Sequence, residues 1–225
     1  MKLTKNYKNS LSLIEKGKKY TALEACELAK KTTTVKYDAP IRVSFKLNVD
    51  PRQADQQIRG AMVLPNGTGR SQKILVVTQG AKVDEAKNAG ADYVGDKEIL
   101  EKVKGGWFDF DIIVATHDMM GELGKLGKIL GPKGLMPNPK TGTATPNIAQ
   151  AIEEIKKGKV EYRVDKEGNI NCIIGKSSFE ADKLAENYNA LYTQLLKVRP
   201  AAVKGNYVKS ITISSNMGPA IKVAE

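Results

Sequence analysis

Hydrophobic positions along this chain recur in two styles. From Pro40 the residues alternate, with Ile41, Val43, Phe45 and Leu47 apolar and Arg42, Ser44, Lys46 and Asn48 polar. A period of two places each set on one face of a pleated strand, so the stretch predicts a half-buried antiparallel strand with a basic solvent face. Ahead of it Thr21 and Glu24 form a T-x-x-E box, the spacing at which a hydroxyl and a carboxylate cap each other's backbone amides, which predicts a helix through about Lys31. A short apolar stretch at 61–64 ends on Pro65, Asn66 and Gly67, residues that punctuate a chain.

From Lys73 onward continuous apolar runs at 74–78, 93–94 and 111–116 alternate with helical segments at 83–89, 97–104 and 119–130. Strands apolar on both faces and separated by helices predict a parallel sheet. A last helix of this kind, 147–157, follows Pro146 and stops at Gly158. Then the first style returns. Residues 160–164 and 169–174 flank Asp165, Lys166, Glu167 and Gly168, which predicts a β-hairpin. Leu184, Tyr188, Leu191, Leu195 and Val198 form the apolar stripe of a helix over 179–198 that Pro200 ends. Residues 207–214 alternate again, with Ile211 and Ile213 inward and Ser210, Thr212 and Ser214 outward. The expected fold is α+β and α/β in two domains. Residues 1–66 plus 160–225 make a discontinuous antiparallel α+β domain, and residues 67–159 an inserted three-layer Rossmann-like α/β domain. The chain crosses between them near 65–69 and near 158–159, and glycines in both crossings suit a hinge.

Composition narrows the class. With 225 residues, 41% of them hydrophobic, the chain can bury one large core or two modest ones. No run approaches the roughly 18 apolar residues of a membrane span, and residues 1–20 lack the pattern of a signal peptide, so a cytoplasmic protein with no membrane partner is expected. Cys26 and Cys172 have no metal-ligand spacing and read as reduced thiols, with no disulfide, zinc or other metal. The formal charge is +11, unevenly placed: +7 over 1–66, +2 over 67–159 and +2 over 160–225. Such a balance concentrates polyanions, and phosphate neutralisation releases counterions, which makes nucleic acid the economical partner; solubility is the other use of the same charge.

The stretch 121–146, GELGKLGKILGPKGLMPNPKTGTATP, combines glycines, Pro132, Pro137 and Pro139 with Lys125, Lys128, Lys133 and Lys140. It predicts a shaped basic surface suited to phosphate, or a solvated loop without a ligand. Residues 134–141 nearly match a phosphate-binding P-loop, but Pro139 stands where the second glycine belongs and has no amide to offer. Gly67, Thr68 and Gly69 fail as a dinucleotide fingerprint because Gln72 occupies the third glycine position. His117 and Asp118 at the end of an apolar run make a hydrolytic site conceivable, though a helix-capping Asp118 explains the pair more simply. A nucleotide-binding regulatory or hydrolytic α/β protein is therefore the alternative to RNA binding. No catalytic residue and no cofactor is assigned.

The blocks KYDAPIRVSFKLNVDP, QQIRGAMVLPNGTG, AGADYVG, GWFDFDIIVATHDMMGELGKLGKILGPKGLMPNPKTGT and SSNMGP occur in this order nearly end to end. In them the chain resembles the family of the first protein of the large ribosomal subunit, L-one, in its bacterial form. The resemblance implies a two-domain, non-enzymatic protein of the large subunit that holds ribosomal RNA at the mobile stalk through the discontinuous domain. It also implies help in moving deacylated transfer RNA from the exit site and repression of the protein's own messenger RNA. Carried over, the RNA surface falls on Lys36, Tyr37, Ser210, Asn216, Met217 and Gly218. Tyr37 stands where the family commonly has Phe, and Asn216 where it commonly has Thr. Arg42, Lys46 and Thr212 join this surface as outward strand positions, and Lys128, Lys133 and Lys140 are expected to face transfer RNA. Physically, Gly218 lets backbone approach ribose and Met217 offers an adaptable apolar contact. A core Met217, a turn at Gly218, a helix-to-strand plug at Tyr37 and solvated strand-face charges at Arg42 and Lys46 are the structural alternatives.

Overall fold

The structure is a computed structural model, and it describes residues 4–15, 17–80 and 82–224. In chain order these form α1 (Lys5–Ser12), α2 (Ala22–Lys31), β1 (Pro40–Leu47), β2 (Arg59–Val63), β3 (Ile74–Val77), α3 (Lys82–Asn88), β4 (Tyr93–Gly95), α4 (Lys97–Lys104), β5 (Ile112–Ala115), α5 (Met120–Lys125), α6 (Gly127–Leu130), α7 (Ile148–Lys156), β6 (Lys159–Arg163), β7 (Asn169–Lys176), α8 (Ala181–Lys197), β8 (Val208–Ser215) and β9 (Ile221–Val223). Short 3-10 turns occur at Ala54–Gln56, His117–Met119 and Pro139–Thr141. The chain divides into two compact units, Met1–Gly69 with Val160–Glu225, and Arg70–Lys159. No helix among the described residues is long and apolar enough to cross a membrane.

In the first unit the capping box is formed: Thr21 N donates to Glu24 Oε2 at 2.9 Å and Thr21 Oγ1 accepts from Glu24 N at 3.4 Å, which fixes the start of α2. The main sheet runs β7-β1-β8-β9, antiparallel throughout. Alternation sends Ile41, Val43, Phe45, Leu47, Ile211 and Ile213 to one face, where they pack with Ala25 and Ala29 of α2 and Leu184, Tyr188 and Leu191 of α8. Phe45 stacks on Tyr188 and Tyr192, with ring centroids 6.0 and 6.3 Å apart. The two helices cover that face, and the opposite face of the sheet stays open. Asn187, fully buried on α8, donates to Gly67 O at 3.0 Å and Ile174 O at 2.7 Å and accepts from Asn66 N at 3.0 Å.

The hairpin expected over 160–174 is corrected. Its turn forms, with Asp165 Oδ1 accepting from Glu167 N and Asn169 N, but only Val164 and Ile170 bridge beyond it. β6 pairs instead with β2 in a two-stranded sheet, and β7 lies against β1. Burial decides the split. Ile170, Cys172 and Ile174 carry a full inward face that belongs on the core sheet, whereas β6 buries only Tyr162 among its five residues.

The second unit holds a parallel sheet, β4-β3-β5. Ile74, Val76 and Val114 pack with Ala86 of α3 and Ile148, Ala151, Ile152 and Ile155 of α7. Leu75, Val77, Ile113 and Ala115 pack with Leu100, Val103, Met119, Leu123, Leu126 and Leu130. Apolar residues on both faces thus produce three layers. The single helix expected at 119–130 is corrected to a 3-10 turn followed by α5 and α6, broken at Leu126. Gly121, Gly124 and Gly127 lower helix propensity along the segment, and the break still lets Leu123, Leu126 and Leu130 reach the core.

Candidate nucleic-acid interface

Strand register builds the open face row by row. Arg42 lies between Ile173 and Ser214, Ser44 between Asn171 and Thr212, and Lys46 between Asn169 and Ser210; Thr212 also faces Lys222. All are exposed or half-buried. Short hydroxyl and amide side chains keep this surface low and rich in donors and acceptors, while Arg42 and Lys222 supply exposed cations. Lys46 is half-buried and donates through Nζ to Glu167 O at 2.5 Å, so it ties the strand to the neighbouring turn. Between Lys46 and Leu47 the register shifts, and the exposed Lys209 is the extra residue of the resulting bulge. Asn171, Lys209 and Lys222 were outside the sequence-based assignment. Their signal is strand pairing, of Asn171 with β1, of Lys222 with β8 and of Lys209 at the bulge between β8 and β1, which no local pattern carries.

At the end of the sheet where β1 begins, two loops meet. Lys36 and Tyr37 precede β1 and Asn216, Met217 and Gly218 follow β8; Asn216 Nδ2 donates to Tyr37 Oη at 2.5 Å, and Asn216 N donates to Pro40 O at 3.1 Å. Met217 has φ 64, alone among the described non-glycine residues in having a positive φ, and its side chain is 76% exposed. A core role for Met217 is thereby corrected. Gly218 does close a turn, its N donating to Ser215 O at 3.0 Å, and a Cβ there would lie 2.3 Å from Ser215 Oγ. Tyr37 is 54% exposed, so it is no plug between helix and strand.

Asp38 anchors the first loop. Its carboxylate accepts from Ser177 Oγ, Ser178 N and Ser178 Oγ, each at 2.9 Å, and Lys176 Nζ is 3.7 Å away. Partial burial opposes the charge on Asp38, but the hydrogen bonds from Ser178 and Ser177 and the Lys176 charge outweigh it and hold the pKa below its ordinary value. Ser177 Oγ also accepts from Ala39 N at 3.1 Å. Sequence reading missed this Asp38, Ser177 and Ser178 cluster because its members lie some 140 positions apart.

The basic loop of the second unit is organised by Asn138. Its Oδ1 accepts from Lys140 N at 2.8 Å, its carbonyl from Thr143 N at 3.2 Å and Thr141 Oγ1 at 3.1 Å. Thr141 is 3% exposed and its hydroxyl also meets Thr143 Oγ1 at 3.0 Å, so the hydroxyl that a P-loop needs for a metal-bound nucleotide is engaged inside the loop. Lys128 and Lys140 are exposed, and Lys133 Nζ sits 3.6 Å above the Phe108 ring. Asp118 is no helix cap. It lies within the 3-10 turn His117–Met119, where an acidic side chain suits the amino-terminal end. Cys26 and Cys172 are buried free thiols, and burial pushes both pKa values up to about 12, which leaves them protonated and unreactive.

An open sheet face of hydroxyls, amides and cations, ending in a rim with an exposed methionine and tyrosine, is chemistry for a folded polyanion and not for a small apolar ligand. The family model described as Ribosomal protein L1p/L10e family matches residues 27–219 of this chain.

Proposed function

We infer that this chain, which belongs to the ribosomal protein L1p/L10e family and is thereby a structural, RNA-binding protein of the ribosome, holds large-subunit ribosomal RNA at the mobile stalk on its open sheet face and rim. The observation that supports this most is the pairing of the polar face with the outward, positive-φ Met217 at its end. Folded RNA offers 2′-hydroxyls and base edges in a shallow minor groove. Ser44, Ser210, Thr212 and Ser214 suit such hydroxyls, Gly218 permits close backbone approach, and Arg42 and Lys222 suit phosphates. The charge agrees, because +9 of the +11 lies in 1–66 and 160–225.

In this reading residues 1–66 plus 160–225 act as the RNA-binding domain and 67–159 as an inserted domain. The inserted domain turns Lys128, Lys133 and Lys140 toward exit-site transfer RNA during its release, and the RNA face also takes the protein's own messenger RNA, repressing its translation. The protein works on cytoplasmic ribosomes without a cofactor. Footprinting the purified protein on total ribosomal RNA tests the reading: protection confined to one stalk junction is expected, and protection spread over the RNA would overturn it. Met217→Ala should weaken that complex by about 1–3 kcal/mol with an unchanged salt slope, because it removes a shape contact and no cation.

A further inference from the structure

We propose that Tyr37 and Asn216 are positioning residues: their side chains form a clasp that holds the Met217 turn in the shape RNA meets. The proposal rests on the reading of this rim as an RNA surface. Tyr37 and Asn216 stand 179 positions apart, and the bond between them joins the loop before β1 to the loop after β8. Alongside it, Asn216 N bonds to Pro40 O, so Asn216 is fixed through both backbone and side chain immediately before Met217 turns left-handed. The bond from Gly218 N to Ser215 O then closes the turn on its other side.

A methionine with φ 64 adopts backbone that L side chains rarely take, and this one gains nothing from burial in return. Local strain persists only where the surroundings over-determine it, and it gathers at binding sites. Here the surroundings form a continuous frame. Ser177 and Ser178, between β7 and α8, hold Asp38; Asp38 adjoins Tyr37; Tyr37 holds Asn216; and Asn216 sets Met217. Ordering the turn before RNA arrives lowers the entropy lost on binding. The bond uses one N–H of the Asn216 amide and a lone pair of the Tyr37 hydroxyl, and the exposed Tyr37 and Met217 stand beside it on the rim.

A double-mutant cycle on the full chain tests this, using transcribed large-subunit ribosomal RNA and proteins carrying Tyr37→Phe, Asn216→Ala or both. Each single change should weaken binding about three- to tenfold, the worth of one hydrogen bond, and the double change no more than either alone. The dependence on salt should stay that of the wild type, since no cation is lost. In the RNA-free protein the Met217 methyl carbon resonance should move toward its random-coil position in all three variants. Additive losses, or a Met217 methyl unmoved by either change, would overturn the clasp. Diffuse protection of RNA by the wild type would overturn the RNA reading and with it the purpose of the clasp, while the methyl signal still reports the clasp itself.

Discussion

Ser215 and Gly218 show how one atom fixes a turn. Ser215 is 3% exposed and its hydroxyl finds no partner among the described residues, while the missing Cβ of Gly218 is what leaves room for it. Gly218→Ala should lower the unfolding temperature, because the new Cβ collides with Ser215 Oγ at 2.3 Å. Ser215→Ala should be close to neutral alone, since it removes a buried group that makes no bond, and should restore most of the loss in the double variant. Thermal unfolding of the three variants decides it; a double variant no more stable than Gly218→Ala would place the strain elsewhere. Asp38 carries a pH dependence at the same rim. Its pKa is lower folded than unfolded, so its contribution is fully present above the ordinary carboxylate pKa of about 4 and fades as pH falls through the lower folded value. The Ser178 amide resonance should therefore shift in acid with a midpoint below about 4, and Asp38→Asn should abolish that step.

At the level of elements, what could be read from sequence was whatever burial imposes locally. The alternation at 41–47 and 211–213 and the apolar runs of the parallel sheet appear where the pattern places them, because one covered face or two leaves a period that needs no distant partner. The strands flanking Asp165 were misread for the complementary reason. Their turn chemistry is local, but which sheet each strand joins depends on β1 and β2, far away in sequence. The site divides in the same way. Outward positions such as Arg42 and Thr212 follow from alternation, and Met217 and Gly218 from resemblance, whereas the bond from Asn216 to Tyr37 has no local trace. Asn187 was likewise hidden inside an amphipathic helix. Removing its side chain strands Asn66 N, Gly67 O and Ile174 O, so Asn187→Ala should cost about 3 kcal/mol in urea unfolding. A cost near zero would mean that water takes over its bonds.

For the whole molecule, charge and shape answer different questions, and salt separates them. Arg42→Ala and Lys222→Ala should each lower the slope of log affinity for ribosomal RNA against log salt by about 1, as expected for lost phosphate contacts. Lys128→Ala and Lys140→Ala, in the second unit, should leave that slope unchanged; an equal fall from all four would mean that the entire basic surface takes part. The buried Asn187 amide has a further consequence, for the timescale on which the chain opens. By sequence Pro65, Asn66 and Gly67 read as a loop, and loops exchange their amide hydrogens with solvent quickly. Here the Asn66 N–H is bonded to the side chain of a helix residue that is itself fully buried. Its deuterium uptake should be as slow as that of the α8 backbone amides, so that this segment opens only when the helix does.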